Sequence, residues 1–246
     1  MSEAPAGVFR FDYITSTGSP IFCESHCHTQ YEMIAVTEGA VSVMLEGKAY
    51  ALVKNQVIII PPLHYHSVTA GEENTYHRII AQFGRDAIPP VLREAFDERR
   101  QRAFLTTSPT VERLEEIYRR EEQAFYAPLL DSLMIQLFYE VLREQALPAA
   151  AESDEFLKKV LSYIDAHLQE KITLDDLAKH TARSKSSLCH LFREKMKISP
   201  KQYILKKKLA VATKLIDEGV PQARAALAVG YENYSNFYRL CRKHQV

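Results

Sequence analysis

Apolar residues recur in short runs through the first third of the chain. Over the remainder they recur every three to four residues, the period of a helix. Ile34 to Val36 and Val41 to Leu45 are apolar runs parted by Glu38, Gly39 and Ala40, a hairpin signal. Val57 to Ile60 is β-branched and is stopped by Pro61 and Pro62. Tyr76 to Phe83 is another such run, closed by Gly84. Residues 8–83 therefore predict short strands punctuated by turns, as in a small barrel or sandwich.

The pattern turns helical from residue 88. Thr110 is placed to cap a helix carrying Val111, Leu114, Ile117 and Tyr118. Pro128 is placed to open the next, whose stripe runs Leu130, Leu133, Met134, Leu137, Phe138, Val141, Leu142. That stripe is either core against its own barrel or a seam with a second copy. Leu147 to Ser153, with Pro148 and three alanines, has the composition of a linker. Helices with Phe156, Val160, Ile164 and Leu168, and then with Thr173 as cap, occupy the rest. Strands precede helices without alternation, so the expected class is α+β with two domains. The expected spans are a β-barrel over 1–84, a helical dimerisation or linker segment over 85–153, and an all-α domain over 154–246.

Charge divides the same way. Lys+Arg and Asp+Glu both total 31, yet residues 153–246 hold 18 basic against 10 acidic residues, leaving 13 against 21 elsewhere. A basic half on an acidic half points to a polyanion-binding domain joined to a different kind of partner domain. Cys23, Cys27, Cys189 and Cys241 form neither a zinc-finger pair nor a disulfide framework. With no secretion signal at Met1 to Pro5 and no apolar run long enough for a membrane span, a reducing cytoplasm is expected.

The basic half carries two short helix–turn–helix patterns. In the first, Leu174, Leu177 and Ala178 pack one helix, Thr181 to Arg183 form the turn, and Ser184 caps a second helix with Leu188, Leu191 and Phe192 inward. Lys185, Ser186, Cys189, His190 and Arg193 then face outward, with groups that suit phosphates and base edges. In the second, Ala223, Ala226, Leu227 and Val229 pack a helix and Gly230 turns the chain. The helix after it buries Phe237 and Leu240 and presents Tyr234, Ser235, Tyr238, Arg239, Arg242 and Lys243. A helix with Lys206 to Leu209, Ala212 and Leu215 joins the two units and sets their separation.

This stretch resembles the AraC/XylS family of transcription activators. The matching residues are Leu174 to Ala178, Ser184, Leu188 to Arg193, Ser199-Pro200 with Tyr203, Leu209 with Ala212, Gly219, Ala228 to Tyr231, and Ser235 to Phe237. The resemblance implies base-reading roles for Ser186, Cys189 and His190 in the first unit, and for Tyr234, Ser235, Tyr238 and Arg239 in the second. It also implies a ligand-sensing barrel, a homodimer through the helix around Leu130 to Leu142, and contact with RNA polymerase. The family pattern continues beyond Val246 through a glycine, a Ser-Pro pair and a short helix, so a short C-terminal end is expected.

In the strand region, His26 and His28 share a face if both lie on one strand, and Glu32 and His66 follow. Imidazoles with one carboxylate suit a divalent transition metal. The spacing of His26, His28, Glu32 and Gly39, then Pro61 and His66, is similar to the cupin barrel, with Asn55 and Leu63 in the usual glycine places. His26, His28, Tyr31, Glu32 and His66 are thus the candidate ligand-binding residues, and His26, His28, Glu32 and His66 the candidate metal set. Cys27 should point away from them, while His64, Tyr65 and Tyr76 are further candidates for lining a pocket. The function expected is a ligand-responsive, DNA-binding activator sensing a small molecule such as a sugar. The alternative is a metal-dependent cupin enzyme with a DNA-binding tail. No nucleophile elbow, phosphate loop or nucleotide fingerprint supports another enzyme class.

Overall fold

The computed structural model describes residues 9–17, 21–70, 75–98, 104–120, 123–143 and 154–244. Two compact units emerge: one of residues 1–24, 30–45 and 49–151, the other of 25–29, 46–48 and 152–246. The expected linker over Leu147 to Ser153 lies outside the described residues.

The first unit is built on two sheets. Five strands, β1 (Phe9–Ser16), β8 (Tyr76–Phe83), β3 (Tyr31–Glu38), β6 (Gln56–Ile60) and β9 (Phe104–Thr107), lie side by side in that order. Four more, β2 (Ile21–His26), β7 (His66–Ala70), β4 (Ala40–Leu45) and β5 (Lys48–Val53), make the second sheet. Gly39 alone separates β3 from β4 at φ 75°, and a Cβ there would meet the Thr75 carbonyl oxygen at 2.2 Å, so only glycine fits.

Strand alternation divides the apolar residues between two cores. Ile34, Val36, Ile58 and Ile60 of the larger sheet meet Val41, Val43, Leu45, Leu52 and Val68 of the smaller one. Met33, Ala35, Val57, Ile59, Ile79 and Ala81 face the other way, under α1 (Pro90–Glu98), α2 (Thr110–Tyr118) and α3 (Gln123–Arg143). Leu130, Leu133, Met134, Leu137, Phe138 and Val141 all belong to this core, and Leu137 is 0% exposed. The stripe read as a possible dimer seam therefore covers the protein's own sheet. With β9 paired to β6, residues 85–143 continue the β-rich unit instead of forming a separate segment.

Two helix starts differ from expectation. Helix α3 begins five residues before Pro128, which therefore lies inside the helix and leaves one i→i−4 bond unmade. Thr110 is the first residue of α2, not its cap. Ser108 Oγ accepts from the Thr110 amide at 3.0 Å, and the Thr110 hydroxyl donates to Glu140 at 2.9 Å, pinning α2 to α3.

The second unit is helical: α4 (Glu155–Ala166), α5 (Leu174–His180), α6 (Lys185–Met196), α7 (Pro200–Asp217), α8 (Gln222–Ala228) and α9 (Tyr234–His244). Local chemistry sets its boundaries. Asp154 caps α4 and Ser184 caps α6. Thr173 with Asp176, and Ser199 with Gln202, form reciprocal capping boxes at α5 and α7.

Candidate functional site

Helices α5 and α6, joined through Thr181 to Ser184, form the first helix–turn–helix. Leu188, Phe192 and Met196 anchor α6 inward. Lys185, Ser186, His190 and Arg193 are exposed and Cys189 is half-buried; with Glu194 these six line one shallow groove. Lys185 also pairs with Asp175 at 2.7 Å.

Helices α8 and α9 form the second unit. Gly230 turns the chain at φ 77°, and a Cβ there would lie 2.9 Å from the carbonyl oxygens of Gln169 and Glu170. Phe237 is buried, while Tyr234, Ser235, Tyr238, Arg239 and Arg242 are exposed. Arg239 is oriented by its own helix through the Ser235 carbonyl at 3.4 Å and the Asn236 side chain. The side chain of Lys243 lies outside the described residues. Leu227, expected inward, is 60% exposed; Ala225 takes its place in the core, because a seven-residue helix fixes its phase by few contacts.

Lys207 and Lys208 of α7 look like solvated charges in sequence, yet both are buried. Lys208 Nζ donates to the carbonyls of Glu170 and Val229 at 2.6 Å each and Leu168 at 2.9 Å. The α4–α5 loop and the end of α8 are thereby tied to one ammonium. Lys207 pairs with Asp165 at 2.6 Å.

Among the described residues, His26, His28, Glu32 and His66 bring one ligand atom each within 4.8 Å of the others. Of the two neighbouring histidines, His26 is the last residue of β2 and His28 follows in the loop. Their rings are 5.8 Å apart. Glu32 on β3 and His66 on β7 are buried, with His66 Nε2 3.4 Å from Glu32 Oε1. His66 Nδ1 sits 3.0 Å from the His64 carbonyl oxygen, a contact that orients the ring with Nε2 on the side of Glu32. Gln82 donates to Glu32 at 3.2 Å. Donors ~2.1 Å from a tetrahedral ion stand ~3.4 Å apart, so the Glu32–His66 spacing suits a metal and the widest pair would have to close by up to ~1.4 Å. Burial pushes the Cys27 thiol up to about 11, so in the metal-free protein it is protonated at neutral pH.

Tyr31 is not part of this cluster. It stacks on Phe83 at 5.4 Å in the core beneath the helices, because its strand parity is opposite to that of Glu32. Tyr76 does lie between the sheets. Asn55 and Leu63, the replacements at the cupin glycine places, both keep left-handed backbone at φ 66°.

A family model described as AraC-like ligand binding domain matches residues 11–138, and one described as helix-turn-helix domain matches residues 177–245. The first spans the sheets together with α1, α2 and most of α3. Among curated relatives, the uncharacterized HTH-type transcriptional regulator YbfI of Bacillus subtilis is 22% identical over 228 residues, 86% of this chain and 80% of that one. The similarly named YdiP of Escherichia coli is 34% identical over 94 residues, 38% of this chain and 31% of that protein. ToxT of Vibrio cholerae aligns over 95% of this chain and 93% of its own with a TM-score of 0.44 and 12% identity. With a ligand-binding half and a helix-turn-helix half each matched by its family model, the chain belongs to the AraC family of transcription regulators.

Proposed function

We propose that this regulator is a ligand-responsive activator that reads a specific DNA site with α6 and α9. The observation that carries the reading is the pair of donor-rich, exposed second helices, each anchored by buried aromatic residues. Phosphate contacts are assigned to Lys185 and Arg193. Base contacts are assigned to Ser186, Cys189 and His190 on α6 and to Tyr234, Ser235, Tyr238 and Arg239 on α9. The space between the sheets takes a small-molecule effector, a sugar being one class, and the effector must bind the two states of the protein unequally to act. Two copies would pair through the outer side of α3, where Leu129, Ile135 and Tyr139 are exposed, and would recruit RNA polymerase at a promoter. Replacing Arg239 by alanine tests the base-reading assignment. Affinity for a preferred site should fall while affinity for random DNA holds; equal losses on both would make Arg239 a phosphate contact only.

A second reading rests on the four-residue cluster, whose donor set suits a divalent transition metal held by His26, His28, Glu32 and His66. The metal would supply Lewis acidity or a fixed anchor for a ligand oxygen. Metal content of protein purified without a histidine tag decides it: near one equivalent supports the site, and less than about a tenth removes it.

A further inference from the structure

Strand β8 carries a charge where its neighbours are apolar. Ile79, Ala81 and Phe83 face the helix-covered core, while Tyr76, Arg78 and Gln82 share the opposite parity, toward the space between the sheets. Arg78 is only 4% exposed. Across the sheet it stands opposite Ile14 on one side and Val36 on the other, neither of which can take its charge. Its guanidinium lies 5.6 Å from the centre of the Tyr76 ring, and Nη1 donates to Tyr76 Oη at 3.3 Å. Nε is buried without a hydrogen-bond partner, and among the described residues Arg78 forms no ion pair.

A guanidinium keeps its charge under all ordinary conditions, so it cannot escape burial by losing a proton. Tyr76 offers no counter-charge, since burial, against the opposing pull of Arg78, raises its pKa and keeps the phenol neutral. The Tyr76 hydroxyl accepts from Arg78, which leaves its own proton to donate. Guanidinium and phenol thus converge as hydrogen-bond donors in an apolar setting, with no negative charge paired to them among the described residues.

We infer that Arg78 and Tyr76 form the anion subsite of the effector pocket, so that the effector carries a carboxylate or a phosphate. The inference rests on reading the β-rich unit as ligand-binding, and it narrows the ligand from small molecules in general to anionic ones. A planar carboxylate fits the guanidinium fork in two parallel hydrogen bonds, and a phosphate oxygen pair does the same. The subsite is distinct from the His–Glu cluster. Gln82, which touches Glu32, is four residues along the same strand face, ~13 Å from Arg78.

The test is thermal melting of the full chain and of Arg78→Met, in buffer and with sodium benzoate, sodium hexanoate or inorganic phosphate at matched ionic strength. Benzamide, hexanamide and arabinose serve as neutral controls. In buffer, Arg78→Met should melt no lower than the wild type, because an apolar side chain replaces an uncompensated buried charge. At least one anion should raise the wild-type midpoint by ~2–4 °C or more and leave Arg78→Met unmoved, with no response to the neutral analogue. If Arg78→Met fails to fold, Arg78 is structural and the inference falls. It falls also if none of the three anions shifts the wild type, or if an anion shifts both proteins equally. A neutral compound that stabilises both proteins, with no anion effect, keeps the ligand-binding reading and removes the Arg78 assignment. Anion stabilisation that leaves promoter binding unchanged keeps the subsite and removes ligand-responsive regulation.

Discussion

Replacing Lys208 by methionine should uncouple the two helix–turn–helix units while keeping the apolar volume of α7. The ammonium holds three carbonyls, at 2.6, 2.6 and 2.9 Å, from the α4–α5 loop and the end of α8. Each charge-assisted hydrogen bond lost costs about 1.5–3 kcal/mol. Three such losses total ~5–9 kcal/mol, and removing the ammonium returns several kcal/mol of desolvation. That offset agrees with burial holding Lys208 below the usual lysine range. The net expected loss is about 2–4 kcal/mol. Lys214→Met, exposed on the same helix and paired with Glu218 only at 3.8 Å, should change stability by less than ~0.5 kcal/mol. Urea unfolding followed by circular dichroism gives the stability change, and fluorescence anisotropy on a promoter fragment gives DNA affinity under conditions where both variants stay folded. Affinity should fall for Lys208→Met and hold for Lys214→Met, since α6 and α9 lose their common anchor. A Lys208→Met protein as stable as the control and equally tight on DNA would refute the anchoring role.

Two further outcomes follow from the same packing. Leu137→Ala should cost about 2–5 kcal/mol from the core under α3, whereas Ile135→Glu combined with Tyr139→Glu should leave the fold intact and yield monomers by light scattering; a folded dimer in the double variant would exclude that face as the contact. Lys195, 2.6 Å from Asp154, together with the Leu157 amide, holds the Asp154 carboxyl below the usual carboxylate range. Its stabilisation is therefore full above the unfolded pKa of ~3.9 and lost as pH falls through the lower folded value. Asp154→Asn should flatten that acid limb in urea unfolding between about pH 5 and pH 2, and Asp154→Ala should cost about 1 kcal/mol at neutral pH by removing the cap; an unchanged acid limb in Asp154→Asn would deny the pairing.

Period and turn chemistry made much of this fold legible. Gly39, Pro61 and Gly84 bound strands where the chain has no alternative, and Thr173, Ser184 and Ser199 cap helices because their side chains satisfy otherwise orphaned amides. Strand β9 was not legible, since Phe104 to Thr107 is too short to show a period and gains its partner β6 only through long-range pairing. The stripe of α3 was visible but its partner was not: an apolar face looks the same against its own sheet or a second copy. His26, His28, Glu32 and His66 stood out by residue type. Tyr31 misled because the start of β3, which sets its parity, is not marked in sequence. Buried Arg78 gave no signal beyond a charge within an apolar run, and Lys208 none within its run of three lysines, since burial of a charge is decided by the atoms that surround it in space.

Selection of genomic fragments by the purified full chain at near-physiological salt addresses the central claim most directly. Non-specific phosphate attraction would spread binding across the genome, whereas base reading by α6 and α9 concentrates it. The account predicts a few sharply enriched promoter fragments, lost when Arg239 is replaced by alanine. Binding spread evenly over fragments, unchanged by that substitution, would contradict it.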